Sequence, residues 1–263
     1  MAKQTTRAGM DVKEKMYLVL VLCFAAVLIT VGAAFFIVRG LGSTTRQNDD
    51  TADSAATQEP LVADSSYDKN QNTIDTNKYS STILEESADA GQSYVDETLF
   101  VGDSNTARMY RIFNYCSYDN AIGSVGMSGK SLATYACVQF QGYSGYKTMP
   151  EAVALMQPRR VILTFGTNDL SSSYSASSFA SDYAKGIKAV QDAYPSVYII
   201  VNAIPPLGQQ HSNQNLTQTQ VDEYNKALVQ MCQDNGWKFL NSAEVLKDSS
   251  TGYAKSGYVL SSD

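Results

Sequence analysis

The 263 residues contain a single histidine, His211, and only four cysteines. Cys23, Cys116, Cys137 and Cys232 show no Cys-x-x-Cys spacing, so the ligand pattern of a zinc site is missing. No metal and no organic cofactor is expected. A Cys116–Cys137 bridge is open to a chain outside the cell, three idle thiols are the simpler reading, and the odd count leaves at least one thiol unpaired. Basic charge is also scarce. Twenty Lys and Arg face 26 Asp and Glu, giving a net charge of −6 and a pI near 4.8. A nucleic-acid partner is excluded, because phosphates demand basic patches. The acidic balance selects no substrate.

Charge is absent altogether from Met16 to Val38. At ~1.5 Å per residue this run spans ~35 Å, enough for a bilayer core of ~30 Å, and it reads as a transmembrane helix. A cleaved signal peptide is the rival reading. Such apolar regions run ~7–15 residues and end in a small-x-small site, which does not follow Val38. Lys3, Arg7, Lys13 and Lys15 precede the span and only Arg39 and Arg46 follow closely. The positive-inside bias puts residues 1–15 in the cytoplasm and everything after the span outside. The expectation is a single-pass cell-membrane protein.

Residues 39–92 are rich in Ser, Thr, Asp, Asn and Gln, with isolated apolar residues and no sustained period. They read as a disordered tether with a reach of ~40 Å; a short stalk with local helix around 80–90 is the alternative. From 93 to 263, strand and helix signals alternate. Leu99–Val101, 120–125, Val161–Phe165, 197–202 and 237–240 read as strands. Phe179, Tyr183, Ile187, Val190 and Tyr194 recur at helical spacing, as do Val221, Tyr224, Leu228 and Met231. Pro150 opens and Pro158 ends a short helix over 151–157. Continuous β-branched runs alternating with helices imply a buried parallel sheet. The fold class is α/β, a three-layer α/β/α sandwich, preceded by the membrane helix and tether.

The stretch Thr98-Leu-Phe-Val-Gly-Asp-Ser-Asn-Thr106 organises this domain. It delivers Ser104 from a buried strand onto a helix start, whose free N–H groups can face a developing anion. In parallel sheets ligands bind at the carboxyl ends of the strands. Gly126–Ser131 and Gly166-Thr-Asn-Asp169 follow the next two strands and fall at the same edge. A Ser104 N–H, a Gly129 N–H and the Asn168 carboxamide would give three donors for a tetrahedral oxyanion. Taken singly, each is an ordinary loop residue or cap.

These segments resemble the SGNH or GDSL hydrolases. Gly102-Asp-Ser-Asn-Thr106 is similar to the first block, with Ser104 in the nucleophile's place. Met127-Ser-Gly129 resembles the second, with Gly129 as the oxyanion glycine and Gly126 as a substitute. Gly166-Thr-Asn-Asp169 matches the third, with Asn168 as the oxyanion asparagine. The resemblance covers about 93–263 and implies the SGNH, flavodoxin-like version of the sandwich. The family's last block is Asp-x-x-His. Asp263 would be its aspartate, with the catalytic histidine just past it, in keeping with a truncated sequence that also lacks the family's final helix. His211, in a Gly/Gln/Asn-rich loop, is a rival base without an expected orienting partner. A serine without a base is a poor nucleophile, so the chain as written is expected to be nearly inactive.

The resemblance implies a serine esterase. Tyr135–Tyr146 and Ser171–Ser177, rich in Tyr, Ser and Gln, suit a shallow polar groove for a glycan. Together with an external, membrane-tethered position, this points to O-acyl, typically acetyl, esters of cell-wall or other glycans. A non-catalytic wall-binding module and an O-acyltransferase on the same scaffold are the alternatives.

Overall fold

In the computed structural model, residues 66–209 and 216–255 are described. Their elements are, in order, α1 (Gln92–Asp96), β1 (Thr98–Gly102), α2 (Ser104–Arg111), β2 (Ala121–Gly123), β3 (Ala136–Val138), β4 (Lys147–Thr148), α3 (Met149–Met156), β5 (Arg160–Thr164), α4 (Ala176–Ala193), β6 (Tyr198–Asn202), α5 (Gln218–Asn235), β7 (Lys238–Leu240) and α6 (Ser242–Leu246). The main sheet has the order β2-β1-β5-β6-β7, and every pairing in it is parallel. β3 and β4 form a separate antiparallel hairpin. The result is a three-layer α/β fold around a parallel sheet.

Strand periodicity sends alternate side chains to opposite faces. Leu99, Val101, Val161, Leu163, Ile199 and Val201 join one core with Phe179, Tyr183 and Ile187 of α4 and Val221, Tyr224 and Leu228 of α5. Phe100 faces the other way and packs with Ala107 and Tyr110 of α2. The helical spacings read from the sequence thus become the buried stripes of α4 and α5. The short helix starts earlier than 151 because Thr148 and Glu151 close a capping box, with Pro150 in the first turn.

The expected tether differs from what is found in its later part. From 66 onward the chain lies on the domain. Tyr67 donates its hydroxyl to Asp222 Oδ2 at 2.6 Å, and the Tyr79 hydroxyl bonds Gln230 Oε1 at 2.8 Å. Ile83 then bridges Phe239 in parallel, with Phe239 N–H donating to Thr82 O and Leu84 N–H to Phe239 O. Residues 82–84 therefore line the outer edge of β7. The sequence carries no period here because each anchor is a lone apolar side chain, so neither strand nor helix spacing arises. The structural domain thus includes residues 66–92, ahead of the expected start at 93. Among the described residues no helix is long and apolar enough to cross a membrane, and Met16–Val38 lies outside them.

Cys116, Cys137 and Cys232 are free thiols. The Cys116–Cys137 bridge does not form.

Candidate active site

The chain leaves β1 toward β2 on one side, and returns to β5 on the other. This makes the carboxyl ends of β1 and β5 the switch point where such sheets open a crevice. Gly102 ends β1 opposite Thr164 of β5. A side chain at Gly102 would run into Thr106 and the Thr164 carbonyl, so only glycine lets the neighbouring strand and the next helix approach this closely.

Ser104 occupies the first position of α2 and is half-buried. Its N–H has no acceptor within the helix, as for every first-turn amide. Asp103 is the N-cap. Its Oδ1 accepts the Asn105 N–H at 2.9 Å, while its Oδ2 is buried without a hydrogen-bond partner among the described residues. Asp103 is 1% exposed. Burial pushes its carboxyl up to about 6, helped by the nearby Asp169 charge and opposed by the bonds from Asn105.

Three contacts tie the loops together. Asn105 Nδ2 lies 3.5 Å from Thr167 Oγ1, joining the serine turn to the loop after β5. Asn168 Nδ2 donates to the Met127 carbonyl at 2.9 Å, joining that loop to the one after β2. Ser124 N–H donates to Gly102 O at 3.0 Å, closing the circuit back to β1. The segments carrying Ser104, Asn168 and residues 124–129 thus meet at one rim. Asn168 is exposed. One of its two amide hydrogens is used by Met127, which leaves the other for a ligand.

Gly129 departs from the expectation. Its N–H donates to Asp169 Oδ2 at 2.9 Å, so it is committed to a carboxylate rather than available to an oxyanion. Asp169 is 5% exposed, and the Lys130 amide bonds it too. A buried carboxylate must recruit N–H donors to offset its lost hydration, and the loop after β2 supplies them. Burial raises the Asp169 carboxyl despite those bonds. An added Cβ at position 129 would press on the rings of Phe179 and Tyr183, which would have to shift slightly to admit it. Gly126, the substitute, is exposed with φ +76 and open space around it. The sequence singled out neither Asp103 nor Asp169. The signal for their role is that an aspartate recurs beside the key residue of both blocks, each just after a buried strand.

His211 and Asp263 lie outside the described residues. No group of three or more His, Cys, Asp or Glu able to hold a metal occurs among the described residues.

A family model described as the GDSL-like lipase/acylhydrolase family matches residues 100–258, more than half of the chain. The chain belongs to that family. As a GDSL-like chain it is a carboxylic ester hydrolase. No curated protein matches it. Among solved structures it is similar to a GDSL-like lipase from Bacteroides thetaiotaomicron, at 13% identity and TM-score 0.48, over 70% of this chain and 84% of that one. A carbohydrate esterase family 3 protein from Talaromyces cellulolyticus is similar at 16% identity and TM-score 0.38, over 60% and 88%. An acetyl xylan esterase is similar at 16% identity and TM-score 0.41, over 56% and 78%. Likeness at this level says nothing about the substrate of the GDSL-like chain.

Proposed function

We propose that this protein is a membrane-anchored, extracytoplasmic serine esterase that removes O-acyl groups, typically acetyl, from cell-wall or other glycans. Ser104 Oγ attacks the ester carbonyl and its proton passes to a base. The family resemblance gives Asp263 the place of the aspartate that orients that base. The tetrahedral oxyanion is met by the Ser104 N–H at the helix start and by the free amide hydrogen of Asn168. Collapse expels the alcohol and leaves an acyl group on Ser104, which water then removes. Membrane attachment rests on the charge-free run Met16–Val38 and the basic residues before it.

The observation that carries the reading is the hydrogen-bonded ring of loops in which Asn105 reaches Thr167 and Asn168 reaches Met127. A helix-start amide and a side-chain amide at one rim are the donors acyl transfer needs. The test is acetate release from O-acetylated oligosaccharide by the full-length protein and its Ser104→Ala variant. Loss of release in the variant supports the reading; an unchanged rate defeats it.

A further inference from the structure

The β3–β4 hairpin takes no part in that chemistry. Its connection runs Gln139-Phe-Gln-Gly-Tyr-Ser-Gly-Tyr146 and turns through Gly142 and Gly145, whose φ values of +84 and +73 suit glycine. Tyr135, Tyr143 and Tyr146 are 49%, 51% and 62% exposed. Single exposed aromatics are ordinary. Here three phenols crowd one short segment, beside the exposed amides of Gln139 and Gln141. Residues 131–146 carry no charge at all, in a chain that is 17% charged.

The segment is fastened to the catalytic rim from two sides. The Ser124 side chain lies close enough to the Cys137 thiol to oppose the rise that burial imposes on it, and Ser124 N–H bonds Gly102 O, two residues before Ser104. Tyr135 N–H bonds Ser131 O at 3.0 Å, and Ser131 Oγ lies 3.1 Å from Ser128 Oγ in the loop that Asn168 grips. In the other candidate wall of the groove, Ser171–Ser177, the tyrosine is turned onto the domain. Tyr174 gives its hydroxyl to Asp182 at 2.8 Å and sets its ring edge-on to Phe179.

The geometry points to the tyrosine hairpin, residues 135–148, as a sugar-binding platform that holds the polysaccharide of an acylated glycan while its ester reaches Ser104. This deepens the esterase reading and rests on it. A pyranose presents a face of C–H groups ringed by hydroxyls. Tyrosine presents an apolar face with a hydrogen-bonding tip, and the neighbouring glutamines add donors and acceptors. A fatty acyl chain would call for large aliphatic side chains, of which this stretch exposes none. A charged peptide would call for charges, and the segment brings one only at its end. Lys147 Nζ sits 5.7 Å from the Tyr143 ring centre, where it orients the ring.

The experiment compares the full-length protein with the triple variant Tyr135→Ala, Tyr143→Ala, Tyr146→Ala and with the matching triple Phe variant. Binding of deacetylated xylo-oligosaccharides is measured by calorimetry. Hydrolysis is measured on O-acetylated xylo-oligosaccharides and on p-nitrophenyl acetate. The Ala triple should bind the sugar at least tenfold more weakly and raise KM on the acetylated sugar as much, with p-nitrophenyl acetate turnover within twofold. The Phe triple should stay within threefold on every measure. Wild-type sugar affinity in the Ala triple overturns the platform, as does equal loss on both esters. Sugar binding that depends on the tyrosines, with neither ester hydrolysed by the wild type, keeps the platform and removes the esterase reading. Hydrolysis of p-nitrophenyl acetate without sugar binding does the reverse.

Discussion

Replacing Asp103 by Asn should stabilise the protein at alkaline pH, although Asp103 stands beside the proposed nucleophile and caps its helix. The carboxyl is 1% exposed, one of its oxygens has no partner among the described residues, and it is pushed up to about 6 from an ordinary value near 3.8. A folded value above the unfolded one means that folding prefers the protonated acid. Ionised Asp103 therefore opposes folding, fully above pH ~6 and not at all below pH ~4. A rise of about two pH units corresponds to ~3 kcal/mol. Asn is about as good an N-cap as Asp, can accept the same Asn105 N–H, and carries no charge to desolvate. Urea denaturation of wild type and Asp103→Asn should give a gap of ~3 kcal/mol in favour of the variant at pH 8, about half that at pH 5, and under ~1 kcal/mol at pH 4. A variant no more stable than wild type at pH 8, or a gap constant across the range, would refute the reasoning.

Asn168→Ala removes one of the proposed oxyanion donors and should lower kcat by ~10²–10³, with KM nearly unchanged, in steady-state assays on p-nitrophenyl acetate. Gly102→Ala drives a methyl group toward the Thr164 carbonyl and Thr106 and should cost ~1–3 kcal/mol, read by thermal unfolding. Arg160 is 7% exposed, stacks 3.7 Å from the Tyr94 ring centre, and bonds Tyr94 O, Thr98 Oγ1 and the half-exposed Glu97. Arg160→Lys keeps the charge but loses the planar fork, and should cost about 2 kcal/mol in denaturant titration with no change in KM.

The parallel sheet was legible because its strands are buried on both faces and so appear as unbroken apolar runs, while α4 and α5 carry stripes at helical spacing. The placement of Ser104 and Asn168 at one edge was legible because each follows such a run directly, and strand ends in a parallel sheet share one edge. The strap from Tyr67 to Leu84 was hidden, since its anchors hold by single side chains and one edge pairing. The commitment of Gly129 was hidden for another reason. Which acceptor an amide meets depends on a carboxylate forty residues away, and the sequence does not say that Asp169 is buried. Tyr174 shows the same limit: an exposed-looking loop tyrosine folds back because Asp182, eight residues on, accepts its hydroxyl.

The most direct test is covalent labelling of the full-length protein with a fluorophosphonate, followed by peptide mapping in a mass spectrometer. An activated serine at a rim of oxyanion donors should place the phosphonyl group on Ser104, at a rate cut at least a hundredfold in Asn168→Ala, and Ser104→Ala should take up none. Labelling of another residue, or equal labelling of the Ser104→Ala protein, would contradict the account.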